Sequence, residues 1–256
     1  MQRHFERELE GLKTSLIKMG SLAEEAIGLS IQALLKQDAE LAKRVIDSDG
    51  RINSLEIEID NAIVDLLALQ QPVAIDLRLI LAATKINNDL ERIGDHAVNI
   101  AESALAYCER RPEEPLLGLP RMADLTQKML RDAIDSFIHN DPHMGSTVLT
   151  VDDHVDELNR EMTTEVIELM RKDSSLIEGG LQVIRVSRNL ERVADLATNI
   201  AEEVIFIAEA RVVKHHAFEE GLPSLKPAFV KPTADERPPA GEGLSKSKEN
   251  EGTKKH

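Results

Sequence analysis

Apolar and small residues recur at spacings of three and four along most of the chain, the signature of helices that bury one face. The first stripe runs through Phe5, Leu9, Leu12, Leu16, Met19, Ala23, Ala26, Ser30 and Ala33. A second runs through Leu41, Val45, Ile52, Leu55, Ile59, Ala62 and Leu66, and Pro72 separates it from a third through Leu79, Ala83, Ile86, Leu90, Ile93, Ala97, Ile100 and Ala104. Short links between such helices predict an antiparallel three-helix bundle. Three prolines and Gly118 mark residues 111–120 as a linker, since proline lacks a backbone donor and restricts the residue before it.

The pattern then starts again. Met122, Leu125, Met129, Ala133 and Phe137 predict a fourth helix, ended by Asn140, Asp141 and Pro142. A fifth follows through Val148, Val151, Val155, Leu158, Met162, Val166 and Leu169, and a sixth through Leu190, Val193, Ala197, Ile200, Val204 and Ile207. Beyond about residue 218 periodicity fades, and five of the ten prolines fall in the last stretch, so residues 218–256 read as a disordered tail. The expected organisation is all-α: two tandem three-helix bundles, residues 1–110 and 121–217, joined by the linker and followed by the tail.

A direct repeat supports that duplication. Residues 87–102, NNDLERIGDHAVNIAE, match residues 187–202, SRNLERVADLATNIAE, without a gap. Some of the identities are apolar, as a shared core requires. The others are Glu91, Arg92, Asp95, Asn99 and Glu102, with Glu191, Arg192, Asp195, Asn199 and Glu202 as counterparts. At about 100° per residue the acidic and amide members of each set lie on one side of the helix, away from the apolar stripe. They predict an outward acidic line, with Arg92 and Arg192 reaching Asp95 and Asp195 and no basic helix neighbour for Glu102 or Glu202. The second helix carries another line, Asp49, Asn53, Glu56 and Asp60, matched by Asp152, Asp156 and Asn159 on the fifth.

Oxygen ligands on adjacent helices, with no E-x-x-H pair in the chain, suit a hard or intermediate cation such as Mg, Mn, Ca or ferric iron rather than structural zinc. The alternative is a solvated acidic face, common on helical proteins, and spacing alone does not choose between them. His96 stands beside Asp95, but its counterpart is Leu196, which favours a packed or exposed histidine over a ligand.

Composition narrows the function classes. A net charge of -15, with no Trp and one Tyr, disfavours nucleic acid, which needs surplus cations and stacking rings. No apolar run is long enough for a membrane span, the lone Cys108 cannot form an internal disulfide, and the first twenty residues lack the apolar core of a signal peptide; a cytoplasmic location is expected. No Gly-rich phosphate loop, nucleophile elbow or nucleophile with its base is visible, so no catalysis is expected.

These residues resemble the PhoU family of bacterial phosphate regulators. The resemblance rests on QQPVAIDLR at residues 70–78, on the two repeated segments, and on ERIGD (Glu91 to Asp95) and ERVAD (Glu191 to Asp195), which fit the family's E/D-x-x-x-D motif. It spans about residues 3–217. In the second half Ala194-Asp195-Leu196 replaces the usual Gly-Asp-His, and no Asp-Leu-Arg precedes the motif. The resemblance implies two three-helix bundles related by a pseudo-twofold, metal clusters on the E/D-x-x-x-D surfaces, and a non-catalytic adaptor between the ATPase subunit of a phosphate ABC transporter and a sensor histidine kinase. It further implies association with the membrane through those partners, and a homodimer is a natural form. The expected metal residues are Glu91, Asp95, Asp49, Asn53, Asn99 and Glu102 in the first half. In the second they are Glu191, Asp195, Asp152, Asp156, Asn199 and Glu202, with weaker binding there. Two rivals remain: an adaptor of a different phosphate permease, and a carboxylate-metal bundle enzyme.

Overall fold

A computed structural model describes residues 2–110 and 118–212. Most of the expected linker, residues 111–117, and the expected tail, residues 218–256, lie outside the described residues.

The described residues form six helical rods, the second of them broken. They are α1 (Gln2–Lys36), α2 (Ala39–Ser48), α3 (Gly50–Gln70), α4 (Ala74–Arg110), α5 (Leu119–His139), α6 (Pro142–Lys172) and α7 (Ile177–Glu209). α1 to α4 make the first repeat and α5 to α7 the second, with the buried stripes where periodicity places them. The turn between the first two rods is the same in both repeats. Gln37 and Asn140 take left-handed backbone, with φ of 52° and 50°, and the next amide reaches back to close the helix end, Asp38 to the Ala33 carbonyl and Asp141 to that of Ser136. Asp38 then caps α2 by accepting from the Leu41 amide, and Asp141 caps α6 by accepting from His143 and Met144. Those bonds satisfy amides that a helix start leaves orphaned.

Three boundaries differ from expectation. The second rod breaks at Asp49, where the Ile52 amide bonds the Asp49 carbonyl at 2.9 Å, three residues back rather than four. Ser48 turns its hydroxyl onto the Val45 carbonyl and Gly50 has low helix propensity, so this is where the helix tightens. α7 begins at Ile177, a dozen residues before the stripe that predicts it. Gly179 and Gly180 obscure the pattern, yet Gly180 is needed for packing: a Cβ there would lie 2.9 Å from Met170 Sδ and 3.0 Å from Val166 on α6. Finally, the last residues of the expected linker are helical, because Pro120 occupies the first turn of α5, where its missing donor costs nothing.

The two repeats share one core. Buried apolar residues from Leu12 to Ile205 form a continuous cluster, and α4 packs on α7 more extensively than any other described pair. Polar bonds register that seam. Arg78 donates to the Ile207 carbonyl, Lys85 pairs with Glu203, His96 Nδ1 bonds Asn189 Oδ1 at 2.9 Å, and Arg185 pairs with Glu102 at 3.2 Å. Numbers rise along α4 as they fall along α7, so the helices are antiparallel. The pairing centres near Ile93 and Val193, which are fully buried, with Lys85 and Glu203 paired on one side of that centre and Arg185 and Glu102 on the other.

Asp89 lies on this seam, 7% exposed. Burial, opposed by Arg92, helped by Glu203 and opposed by Lys85, pushes its carboxyl up to about 6 from 3.8. A carboxyl raised in the folded state binds protons on folding, so its contribution favours the fold at about pH 4 and is lost as pH rises through 6. Asp89→Asn is therefore expected to raise stability by about 1–3 kcal/mol at pH 7.5 and to change it little at pH 4. Thermal melts at the two pH values check this, and a lower melting point for the variant at pH 7.5 would contradict it.

Two acidic helix faces

On the first repeat, α3 lies beside α4. Asn87 Nδ2 on α4 donates to the Glu56 carbonyl at 3.1 Å and to Asp60 Oδ1 at 2.9 Å. One turn beyond Glu91, Gly94 lets the two rods close: a Cβ there would meet Ile52 Cδ1 at 3.0 Å and lie 3.7 Å from Asp49 Oδ1. The break in the second rod thus places Asp49 over the E-x-x-x-D turn of α4. The carboxyl of Glu91 is raised by burial first, then by the negative charges of Asp95, Glu56 and Asp49, with Arg92 opposing. Asn53 Nδ2 donates to Asp49 Oδ2 at 2.8 Å, and its Oδ1 is buried with no hydrogen-bond partner. Asp49, Asn53, Glu56, Glu91 and Asp95 therefore form one group, rich in oxygen and short of positive charge.

The second repeat reproduces the placement with different compensation. Burial again raises Glu191, followed by an opposing Arg192, the charges of Asp195 and Asp156, and an opposing Arg188. Arg192 reaches Asp195 at 2.8 Å, as expected, whereas Arg92 turns away from Asp95 and lies 3.9 Å from Asp89. Asp152 is buried, and Asn159 accepts from Ser187 at 2.8 Å, the counterpart of the Asn87 link. The second face carries its own cations and the first carries fewer.

The expected acidic lines do not continue as single sites. Glu102 stands three turns past Glu91, about 16 Å along the helix, and pairs with Arg185 of the other repeat. Asn99, half-buried one turn before it, is likewise separated from the Asp49 group. Asn199 and Glu202 line a shallow cleft with Thr84, Lys85, Asn88, Asp89 and Glu203. Sharing a helix side did not give these residues the same neighbours, because a different element lies beside each turn. Among the described residues no three His, Cys, Asp or Glu side chains meet at metal-binding spacing; the carboxylates are near enough to feel one another without closing on a point. Burial and Asp38 raise the Cys108 thiol, which leaves it a poor nucleophile.

Asn87, Asp89 and Glu203 escaped the sequence reading. Their counterparts are Ser187, Asn189 and Ser103, so a search for matching polar residues passed over them. Their signal was a polar side chain in a buried register, which the structure shows for all three.

Comparison with known proteins agrees with both the repeat and the fold. The PhoU domain model matches residues 16–104 and again 119–204. The "Phosphate-specific transport system accessory protein PhoU homolog" of Aquifex aeolicus is 39% identical over 214 residues, covering 84% of this chain and 97% of that protein. The crystal structure of PhoU from Pseudomonas aeruginosa superposes with a TM-score of 0.79 at 36% identity, covering 81% of this chain and all of that one. The phosphate transport system regulatory protein PhoU from Streptococcus pneumoniae gives a TM-score of 0.76 at 30% identity, with 82% of this chain covered. With two matched domains on one duplicated helical frame, the chain belongs to the PhoU family.

Proposed function

We propose that this chain is the accessory protein of a phosphate-specific transport system, acting without turnover of its own as an adaptor between the transporter's ATPase subunit and a sensor histidine kinase. The observation that carries the reading is the match of both repeats to proteins named as accessory to that transport system, over most of their length. No helix among the described residues is long and apolar enough to cross a membrane, and in this reading the chain meets the membrane through its partners. An acidic surface suits such a role by steering encounters with basic surfaces.

A metal-responsive first face completes the proposal. Glu91, Asp95, Asp49 and Asn53 would hold a hard cation, Mg, Mn, Ca or iron, with Glu56 at the edge. What fits is chemical: a raised Glu91 carboxyl, neighbouring carboxylates and an unpartnered buried Asn53 oxygen all lack positive charge. The bound ion supplies that charge, and Glu91 and Asp49 would then draw the E-x-x-x-D turn of α4 onto the break between α2 and α3. Glu191, Asp195, Asp152 and Asp156 would act similarly but more weakly, since Arg192 and Arg188 already supply charge there.

Thermal melts with millimolar Mg, Mn or ferric ion should raise the wild-type melting point. Glu91→Gln with Asp95→Asn should abolish most of that rise while slightly raising the metal-free value, as relief of like-charge repulsion requires. Glu191→Gln with Asp195→Asn should leave most of it. A wild type indifferent to all three ions makes these faces solvated surface only.

Deleting the gene is expected to leave phosphate-starvation genes switched on in phosphate-rich medium, read by transcript level. Normal repression in the deletion strain would contradict the kinase-linked adaptor and favour service to a different phosphate permease.

A further inference from the structure

α3 carries two apolar stripes, and the fold uses one. Ile52, Leu55, Ile59, Ile63 and Leu66 face the core. On the opposite side Ile57, Asn61, Val64 and Ala68, spaced four, three and four apart and spread over about 60°, are all exposed. Ile57 is 61% and Val64 62% exposed; Leu69, on the flank of the last turn of α3, and Val73, just past the left-handed residue Gln71, are both 71% exposed. Single exposed apolar residues are ordinary. Several gathered on the outward side and closing turn of one helix, interrupted only by Asn61, mark an interaction surface.

The charges beside the row say what covers it. Residues 52–77 hold five carboxylates, Glu56, Glu58, Asp60, Asp65 and Asp76, and no Lys, Arg or His. Glu58 and Asp65 border the row on one side and Asp60 on the other, by the same helical arithmetic. The duplicated rod does not share this design. α6 contains Arg160, Arg171 and Lys172, and among its residues only Ile167, at 36%, is a large exposed apolar side chain. The frame therefore folds without such a row.

We propose that the outward face of α3, with Leu69 at its C-terminal end and Val73 of the following turn, docks a basic amphipathic helix of a partner protein. The partner would bring about three turns of helix, apolar residues at i, i+3, i+4 and i+7, and flanking Lys or Arg. A second copy of this chain would oppose carboxylate to carboxylate, and an anionic lipid surface would repel the same border. The inference deepens the adaptor reading and rests on it, naming the face and the chemistry that a partner must bring.

A synthetic probe keeps the two readings separable, since it needs neither the transporter nor the kinase. An amphipathic Leu/Lys peptide of about 18 residues, long enough to be helical, is titrated into the full chain and followed by fluorescence anisotropy. Two peptides serve as comparisons, one with the same composition scrambled and one with Glu for Lys. The Leu/Lys peptide should bind about tenfold tighter than either and weaken with salt. Val64→Ser with Leu69→Ser and Val73→Ser keeps every charge and should cost about tenfold in affinity, while Ile167→Ser on α6 should change nothing. Asp60→Asn with Asp65→Asn tests the charged border separately and should also weaken binding. Equal binding by the triple variant or by the scrambled peptide would overturn the proposal. So would a wild-type dimer in sedimentation that the triple variant dissolves, because that assigns the face to a second copy.

Discussion

The contact between α4 and α7 fixes the rest of the molecule. Each is the third rod of its repeat, and each buries one side against the other along a seam from Arg78 and Ile207 to Glu102 and Arg185. With that side taken, and with α1 and α5 also packed on the pair, the side left for polar residues is the one shared with the second rod. Glu91 therefore meets Asp49 at the break between α2 and α3 and Glu56 of α3, and Glu191 meets Asp156 of α6. The seam also explains why the two repeats share a continuous core: neither third rod could expose its Ile93 or Val193 side to water without losing a large part of its apolar burial. Burying polar groups there is costly; the pairing of Lys85 with Glu203 and of His96 with Asn189 offsets part of that cost, and burial raises the Asp89 carboxyl.

On that common frame the repeats have diverged in how they treat charge. The first breaks its second rod at Asp49, gives α4 a glycine to approach it, and turns Arg92 toward Asp89. The second keeps α6 continuous through the matching position, replaces the glycine with Ala194, and sets Arg192 on Asp195. The outer row of α3 belongs to the first repeat as well. The oxygen-rich group around Glu91 and the exposed outer side of α3 thus both lie on one half, and the other half supplies the support that packs on α4.

Much of this was legible in the sequence, for identifiable reasons. Period 3.6 reports which side of a rod is buried, and a polar residue repeated at the same position reports a shared surface. The six rods and the Glu91 and Glu191 faces follow from those two facts. What stayed hidden depends on neighbours. Glu102 shares a helix side with Glu91 but meets Arg185 instead of Asp49, and nothing local says so. The start of α7 was masked by Gly179 and Gly180, low in helix propensity, although Gly180 admits the close approach of Met170 and Val166. Asp89 and Glu203 were invisible to a search for identities because the duplication changed both.

Native-state hydrogen exchange at the centre of the seam is the most direct test of a single cooperative frame. The amides of Ile93 and Val193 should exchange through the same opening, with a free energy equal to that of global unfolding. A second repeat whose amides open at a free energy lower by about 2 kcal/mol or more would show two units that merely touch, and the shared seam could not then be what holds the acidic faces in place.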